Sequence, residues 1–268
     1  MLTPKIVPSK LNRKYLTIRD TADRRDFLMR SGQPVYSNFT LLNQLGPVKD
    51  QGQEGSCTGN AGSGHLETVI FKQFGNRVVL SPAFLYYKER ELEGTLPNDS
   101  GAQSRTIFQV LNQFGCCLES ADPYNTANMN VPPTQAQLND AALRKIGAYH
   151  RIMDVGSVMS CIESGYTCTI AIAVYQSFED ATSGVIPLPN KSTEGLLGGH
   201  EMYLWGFDVQ GNAIWNPFKV PGILFRNSWG PSFGWQGNGI LPLAYFNDVD
   251  LWYDSWMGHF GRPWAVKN

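Results

Sequence analysis

The chain has 268 residues, of which 42% are hydrophobic and 12% aromatic, so it can form one large domain or two compact lobes. Its 22 basic and 23 acidic side chains nearly cancel, which argues against nucleic acid or an anionic membrane surface as the main partner. No apolar run reaches the roughly 18 residues of a membrane span, and Met1 to Lys10 lack the apolar core of a secretory signal, so we expect a cytoplasmic protein or one exported by a non-classical route.

Residues 1–38 are predicted to form a basic N-terminal arm, or short leader, that lies over the body of the protein. A partly disordered, solvated tail is the alternative for such a charged terminus. Basic residues outnumber acidic ones along the arm: Lys5, Lys10, Arg13, Lys14, Arg19, Arg24, Arg25 and Arg30 against Asp20, Asp23 and Asp26.

Residues 39–145 carry mainly helical signals and are predicted to form a helical lobe. Apolar residues near helical spacing predict a helix with Cys57 in its first turn, entered through Gly55 and Ser56. Three further helical segments are predicted: 80–90, with Ser81 as cap and Pro82 as first residue; 104–114, closed by Gly115; and a short piece at 134–143.

Residues 146–268 are predicted to form a β lobe, an antiparallel sheet rolled toward a barrel, with a C-terminal tail. Short β-branched or aromatic segments bounded by Gly, Pro and Asn support this prediction. The predicted strands are 146–155, 167–175, 201–207, 213–215, 222–227 and 239–242. The fold class is therefore α+β, with a cleft between the two lobes.

Four residues occur in the order and spacing that thiol catalysis needs: Gln51, Cys57, His200 and Asn227. A Cys thiolate needs a neighbouring imidazolium, and often a helix N-terminus, before it attacks a carbonyl. We therefore expect Cys57 as nucleophile, His200 as base and Asn227 as the amide that orients the imidazole. Gln51, rather than its neighbour Gln53, is expected to stabilise the oxyanion together with the backbone N–H of Cys57.

These motifs resemble those of the papain and cathepsin family of cysteine peptidases, over about residues 10–245. The resemblance implies a papain-like two-lobed fold, a peptide or protein substrate, and hydrolysis through a thioester. We expect no cofactor, and no histidine has metal-site spacing with the cysteines. The substrate-binding residues that we expect, mostly from this resemblance, are Gly101, Ala102, Gly199, Glu201 and Trp229.

Several positions depart from the family pattern. Glu54 stands where secreted cathepsins have a disulfide-forming Cys, which favours a reducing compartment or a scaffold without that bridge. Thr58 replaces the Trp that commonly follows the nucleophile. Glu201 replaces a small residue, and we expect it either to favour a basic substrate side chain or to bind a Lys or Arg of the protein. The four remaining cysteines are expected to be buried free thiols, with a Cys161–Cys168 bridge as the alternative: Cys116, Cys117, Cys161 and Cys168.

Two other functions stay open from the sequence. The chain could be an inactive papain-like module that docks to a larger assembly through its arm or through an aromatic tail, Trp252 to Trp264. It could also be a cysteine amidase or acyltransferase that acts on peptidoglycan or another isopeptide. For a peptidase, we expect the arm to cross the cleft and to slow substrate entry.

Overall fold

A seven-stranded antiparallel sheet organises the computed structural model, which describes residues 5–29 and 34–261. The strands are β1 (Asn38–Thr40), β2 (Ala148–Arg151), β3 (Cys168–Tyr175), β4 (Leu196–Asp208), β5 (Gly222–Arg226), β6 (Asn238–Leu241) and β7 (Trp252–His259). Their order is β2-β7-β3-β4-β5-β6, and β1 pairs with the end of β4. The long strand β4 therefore lies inside the sheet, between β3 and β5.

Six α-helices accompany the sheet in the described residues. They are α1 (Cys57–Phe74), α2 (Pro82–Glu93), α3 (Ser104–Gln113), α4 (Gln135–Ala141), α5 (Val155–Glu163) and α6 (Gln176–Asp180). The side chain of Ser81 accepts a hydrogen bond from Phe84 N at 3.0 Å, and Gly94 ends α2 in the left-handed conformation. These local signals explain why α2 begins and ends where the sequence predicts.

Helix α1 joins the helical part of the molecule to the sheet, because it packs against α2, α3 and β4. Every residue from Cys57 to Ile70 is buried. A Cβ atom on Gly64 would lie 2.5 Å from Cε1 of Tyr203 in β4, so glycine permits this close approach of helix to strand. One hydrophobic core lies among α1, α2 and α3, and a second lies along β3, β4 and β5.

The α+β class and the predicted helices α1 to α4 are confirmed, as are the strands predicted at 146–155, 167–175, 201–207, 222–227 and 239–242. The strand predicted at 213–215 is wrong. The carboxylate of Asp208 accepts hydrogen bonds from Gly211 N, Ala213 N and Asn216 Nδ2, at 2.9 to 3.0 Å, which holds this segment in turns. Strands β1 and β7 and helices α5 and α6 were not predicted.

The predicted aromatic tail is mostly part of the sheet. Residues Trp252–His259 form β7 between β2 and β3, and Trp256 is fully buried. Its end, with Trp264, and Arg30 of the arm lie outside the described residues. Among the helices of the described ranges, none has the length and apolar character needed to cross a membrane.

Candidate active site

Cys57 is the first residue of α1, directly after the N-cap Ser56. The backbone N–H groups of a first helical turn lack intrahelical partners and carry the positive end of the helix dipole, which favours a thiolate. The side chain is fully buried. Its sulfur lies 3.0 Å from Thr17 Oγ1 and close to the backbone of Glu201, the residue after His200. Cys57 on α1 thus lies against the strand that carries His200.

His200 lies in β4, and Asn227 directly follows β5, the neighbouring strand. The ring atom Nε2 of His200 donates to Asn227 Oδ1 at 2.8 Å. The backbone N–H of Ser228 donates to the same oxygen at 2.9 Å, which fixes the orientation of the amide. Because the amide oxygen requires a proton on Nε2, Nδ1 is the basic nitrogen of the neutral ring. Nδ1 is buried and has no hydrogen-bond partner among the described residues.

Gln51 is buried and bonded at both ends of its amide. Its Oε1 accepts from Ser228 Oγ at 2.6 Å, and its Nε2 donates to Glu54 O at 2.8 Å. These two bonds leave the second N–H of the amide unused. The backbone of Gln51 also donates to Ser228 O at 2.9 Å, which ties the loop before α1 to the segment that carries Asn227. Gln53 is exposed.

Trp229 covers the imidazole of His200. Their ring centroids are 5.3 Å apart, and Phe178 packs against Trp229 at 5.5 Å. Trp229 is 5% exposed. These rings keep water from the contact between His200 and Asn227, so the hydrogen bond lies in surroundings where its electrostatic strength is greater.

The arm crosses the cleft directly above Cys57. The backbone N–H of Thr17 donates to Gly199 O at 3.1 Å, and Gly199 N–H donates to Tyr15 O at 3.2 Å. Ile18 forms a parallel bridge with Gln103. A Cβ atom on Gly101 would lie 2.5 Å from the carbonyl oxygen of Leu16, so the arm contacts both glycine-containing walls that were predicted to bind substrate. Ala102, next to Gly101, is buried.

Burial keeps both Cys57 and His200 neutral. Burial raises the pKa of the Cys57 thiol to about 12, and only hydrogen bonds such as that from Thr17 oppose the shift. Burial also lowers the pKa of His200 to about 4, against the effect of its bond to Asn227. Both shifts disfavour the charged form of the group. At neutral pH, the buried Cys57 is therefore a thiol and the buried His200 a neutral imidazole.

Glu201 is fully buried, and Ser104 Oγ donates to its Oε2 at 2.6 Å. No Lys or Arg of the described residues forms an ion pair with it, so the structure does not support the expectation that Glu201 binds a basic residue of the protein. Burial raises its carboxyl pKa well above the usual range, which favours the neutral acid. Its selection of a basic substrate side chain stays a prediction.

A second buried carboxyl lies near Cys57. Thr58, which follows Cys57, donates through Oγ1 to Glu89 Oε2 at 2.5 Å. Burial raises the pKa of Glu89 to about 8. The two carboxyls of Glu89 and Glu201 raise the pKa of the Cys57 thiol further. The Thr that replaces the family's usual Trp therefore connects the nucleophile helix to α2 through a buried hydrogen bond.

Sequence reasoning missed the arm residues that contact the site, above all Tyr15 and Thr17, and it missed Glu179 on α6. The alternation of aromatic and β-branched residues from Tyr15 to Ile18 is a strand signal that could have located the crossing. His65 bonds to Thr167 Oγ1 at 2.9 Å and is a packed histidine. All five cysteines are free and buried, so the alternative Cys161–Cys168 bridge is absent.

The chain belongs to the papain family of cysteine proteases, because the model of that family matches residues 39–242. It is therefore a cysteine-type peptidase, and the predicted family and papain-like fold are confirmed. The structure is similar to that of xylellain, a cysteine protease from Xylella fastidiosa. The TM-score is 0.82 at 28% identity, over 98% of this chain and 99% of that chain.

Two relatives show how far the similarity extends along the sequence. An uncharacterized peptidase C1-like protein of Acanthamoeba polyphaga mimivirus is 28% identical over 93% of this chain and 88% of its own length. Cathepsin J of Mus musculus is 26% identical over 80% of this chain, but the match spans only 61% of the cathepsin. The match with the mimivirus protein therefore extends over most of both chains, whereas the match with cathepsin J leaves a large part of the cathepsin uncovered.

Proposed function

We propose that this chain is an endopeptidase that cleaves peptide bonds through a thioester on Cys57. The observation that carries the proposal is the bond from His200 Nε2 to Asn227 Oδ1. It leaves the basic Nδ1 without a partner among the described residues, on the strand that lies against Cys57 at the N-terminus of α1. Nucleophile, base and orienting amide are the three parts that a catalytic triad requires.

Each proton and bond in the reaction has a place in this arrangement. Nδ1 of His200 takes the thiol proton as the sulfur attacks the carbonyl carbon. The oxyanion accepts from Gln51 Nε2 and from the backbone N–H of Cys57. The C–N bond then breaks as His200 returns the proton to the leaving amine. Water, deprotonated by the same imidazole, hydrolyses the thioester and restores the thiol.

The substrate path is proposed to be the path that the arm now occupies. Gly199 and Gln103 offer backbone groups that the extended chain from Tyr15 to Ile18 already uses, and Gly101 leaves room for the carbonyl group of Leu16. An arm that occupies these walls excludes a substrate and keeps the Cys57 thiol protonated. We therefore infer that the arm inhibits the enzyme and that activity requires its displacement.

Cleavage of short fluorogenic peptides tests both statements. Deletion of residues 1–35 should raise turnover, and so should the milder Thr17→Pro, which removes the N–H that donates to Gly199 O. Cys57→Ala, combined with either arm variant, should abolish peptide turnover. Unchanged turnover in both arm variants, with intact folding, would reject autoinhibition.

The same variants separate the rival functions. An epoxysuccinyl thiol reagent should label Cys57 faster than a free thiol if the site is catalytic. No rate advantage in either arm variant would instead indicate an inactive module. Release of fragments from peptidoglycan without cleavage of any linear peptide would indicate an amidase. These outcomes require no knowledge of the physiological substrate.

A further inference from the structure

Tyr15 fills a closed pocket beside the His200 ring. Its ring meets His200 edge-on, with 5.8 Å between centroids, and meets Trp229 at 6.0 Å. Its hydroxyl donates to Glu179 Oε1 at 2.7 Å. Tyr15 is only 5% exposed, although it belongs to the arm. The pocket therefore combines aromatic walls with a carboxylate acceptor at its far end.

The walls of this pocket belong to the body of the protein. Phe178 and Glu179 lie on α6, which follows directly on β3 in the middle of the sheet. Phe178 packs against the rings of Trp229, Phe225 and Phe233 and is 1% exposed. Because these contacts do not involve the arm, the pocket persists when the arm leaves.

Displacement of the arm frees the acceptor of the pocket. Within residues 5–29 and 34–261, the carboxylate of Glu179 accepts from four groups. Three belong to the arm, namely Ser9 Oγ, Lys10 N at 3.1 Å and the Tyr15 hydroxyl, whereas only Gln176 Nε2 at 3.2 Å belongs to the body. A buried carboxylate that loses three donors needs replacements from a ligand or from water.

The pocket lies on the leaving-group side of the site. Thr17 Oγ1 lies 3.0 Å from Cys57 Sγ and therefore close to where the sulfur would attack a substrate carbonyl carbon. From there Tyr15 extends toward His200, whose ring protonates the leaving amine, and toward Trp229. We propose that this pocket receives the side chain that follows the scissile bond and selects tyrosine there. This inference rests on the proposed peptidase function.

Tyrosine matches both features of the pocket. A phenylalanine would contact the same rings but would leave the Glu179 carboxylate without its donor, and sites built to bond a hydroxyl discriminate strongly against analogues that lack it. A cationic side chain is the competitor, since it would pair with the carboxylate. Aromatic rings from His200, Trp229 and Phe178 surround the pocket, which favours the planar phenol.

The test uses quenched peptides that differ only in the residue after the scissile bond: Tyr, Phe, Leu or Arg. In Thr17→Pro, we expect kcat/KM for Tyr to exceed that for Phe by roughly tenfold. Glu179→Ala should reduce this ratio to about one, whereas Asp180→Ala, on the exposed neighbouring position of α6, should leave it unchanged. Mass spectrometry of the products verifies the cleaved bond, and the deletion of residues 1–35 serves as the second arm-free form.

Each outcome assigns the failure to one proposal. Cleavage of all four peptides at equal rates, or a Tyr preference that survives Glu179→Ala, overturns the pocket and leaves the peptidase function intact. Faster cleavage before Arg than before Tyr also overturns the assignment of tyrosine. If no peptide is cleaved, the peptidase function fails. The affinities of the Tyr and Phe peptides for Cys57→Ala in the Thr17→Pro background then test the pocket without catalysis, and equal affinities refute it.

Discussion

Tyr15 and Asp20 lie on either side of Thr17, and the arm is anchored at these two points by different chemistry. Tyr15 places a neutral hydroxyl on the carboxylate of Glu179 among aromatic rings. Asp20 places a carboxyl in a buried polar cluster, where it accepts from Trp256 Nε1 at 2.7 Å and from Arg105 N. A change in pH should therefore alter the strength of the second anchor, at Asp20, and hardly alter that of the first anchor, at Tyr15.

The charges around Asp20 determine the direction of this effect. Its backbone N–H donates to Asp254 Oδ2 at 2.7 Å, and Arg151 pairs with that aspartate. Glu201 also faces the cluster, and Arg105 pairs with Asp26 of the arm at 2.7 Å. Despite the two arginines, burial raises the pKa of Asp20, and burial together with Asp20 raises that of Asp254 to about 6.

A carboxyl whose pKa is raised by docking takes up a proton when the arm docks. Its stabilisation of the docked arm is fully present at low pH and is lost as the pH rises through the docked pKa, which for Asp254 is about 6. The arm should therefore be held more tightly in acid than at neutral pH. The Tyr15 anchor contributes no such slope in this range, because its pKa is raised still further above its usual value near 10.

The largest expected effect comes from releasing both anchors with Thr17→Pro. The covered thiol has a pKa of about 12, whereas an ordinary thiol has a pKa of about 8.5, so the rate of alkylation at pH 7 should rise by on the order of a thousandfold. Ala22→Pro, at an exposed position of the same arm, is the control. Equal alkylation rates for Thr17→Pro and the unmodified chain would show that the arm does not protect Cys57.

A smaller effect should separate the two anchors by pH. The measurement is the alkylation rate of the unmodified chain divided by that of Thr17→Pro, because this ratio removes the titration of the thiol itself. The ratio should rise about tenfold between pH 5 and pH 8. Asp20→Asn should flatten this ratio. Asp23→Asn provides the matched control, because Asp23 pairs with Arg25 on the surface and its pKa is lowered. A slope that survives Asp20→Asn would place the titrating group elsewhere.

The contrast between the anchors also shows which residues of the site can be predicted from the sequence. The order of Cys57, His200 and Asn227 and the caps of α2 were readable because chemistry or local geometry demands those residue types. Tyr15 and Glu179 could not be predicted from the sequence, because no motif marks either residue. They meet only when the arm pairs with Gly199 and α6 folds beneath it. Strand β7 was missed for a related reason: its aromatic residues suggest a docking tail, and only pairing with β2 and β3 buries them.

The smallest effect is expected at the first anchor. Tyr15→Phe removes only the hydroxyl on Glu179, which keeps its donors from Ser9 and Lys10, so the docked arm should lose about 1 kcal/mol and basal peptide turnover should rise about fivefold. The rise should be equal at pH 5 and pH 8. Tyr36→Phe, at an exposed tyrosine, should change nothing. A pH-dependent rise in Tyr15→Phe would mean that the two anchors release together.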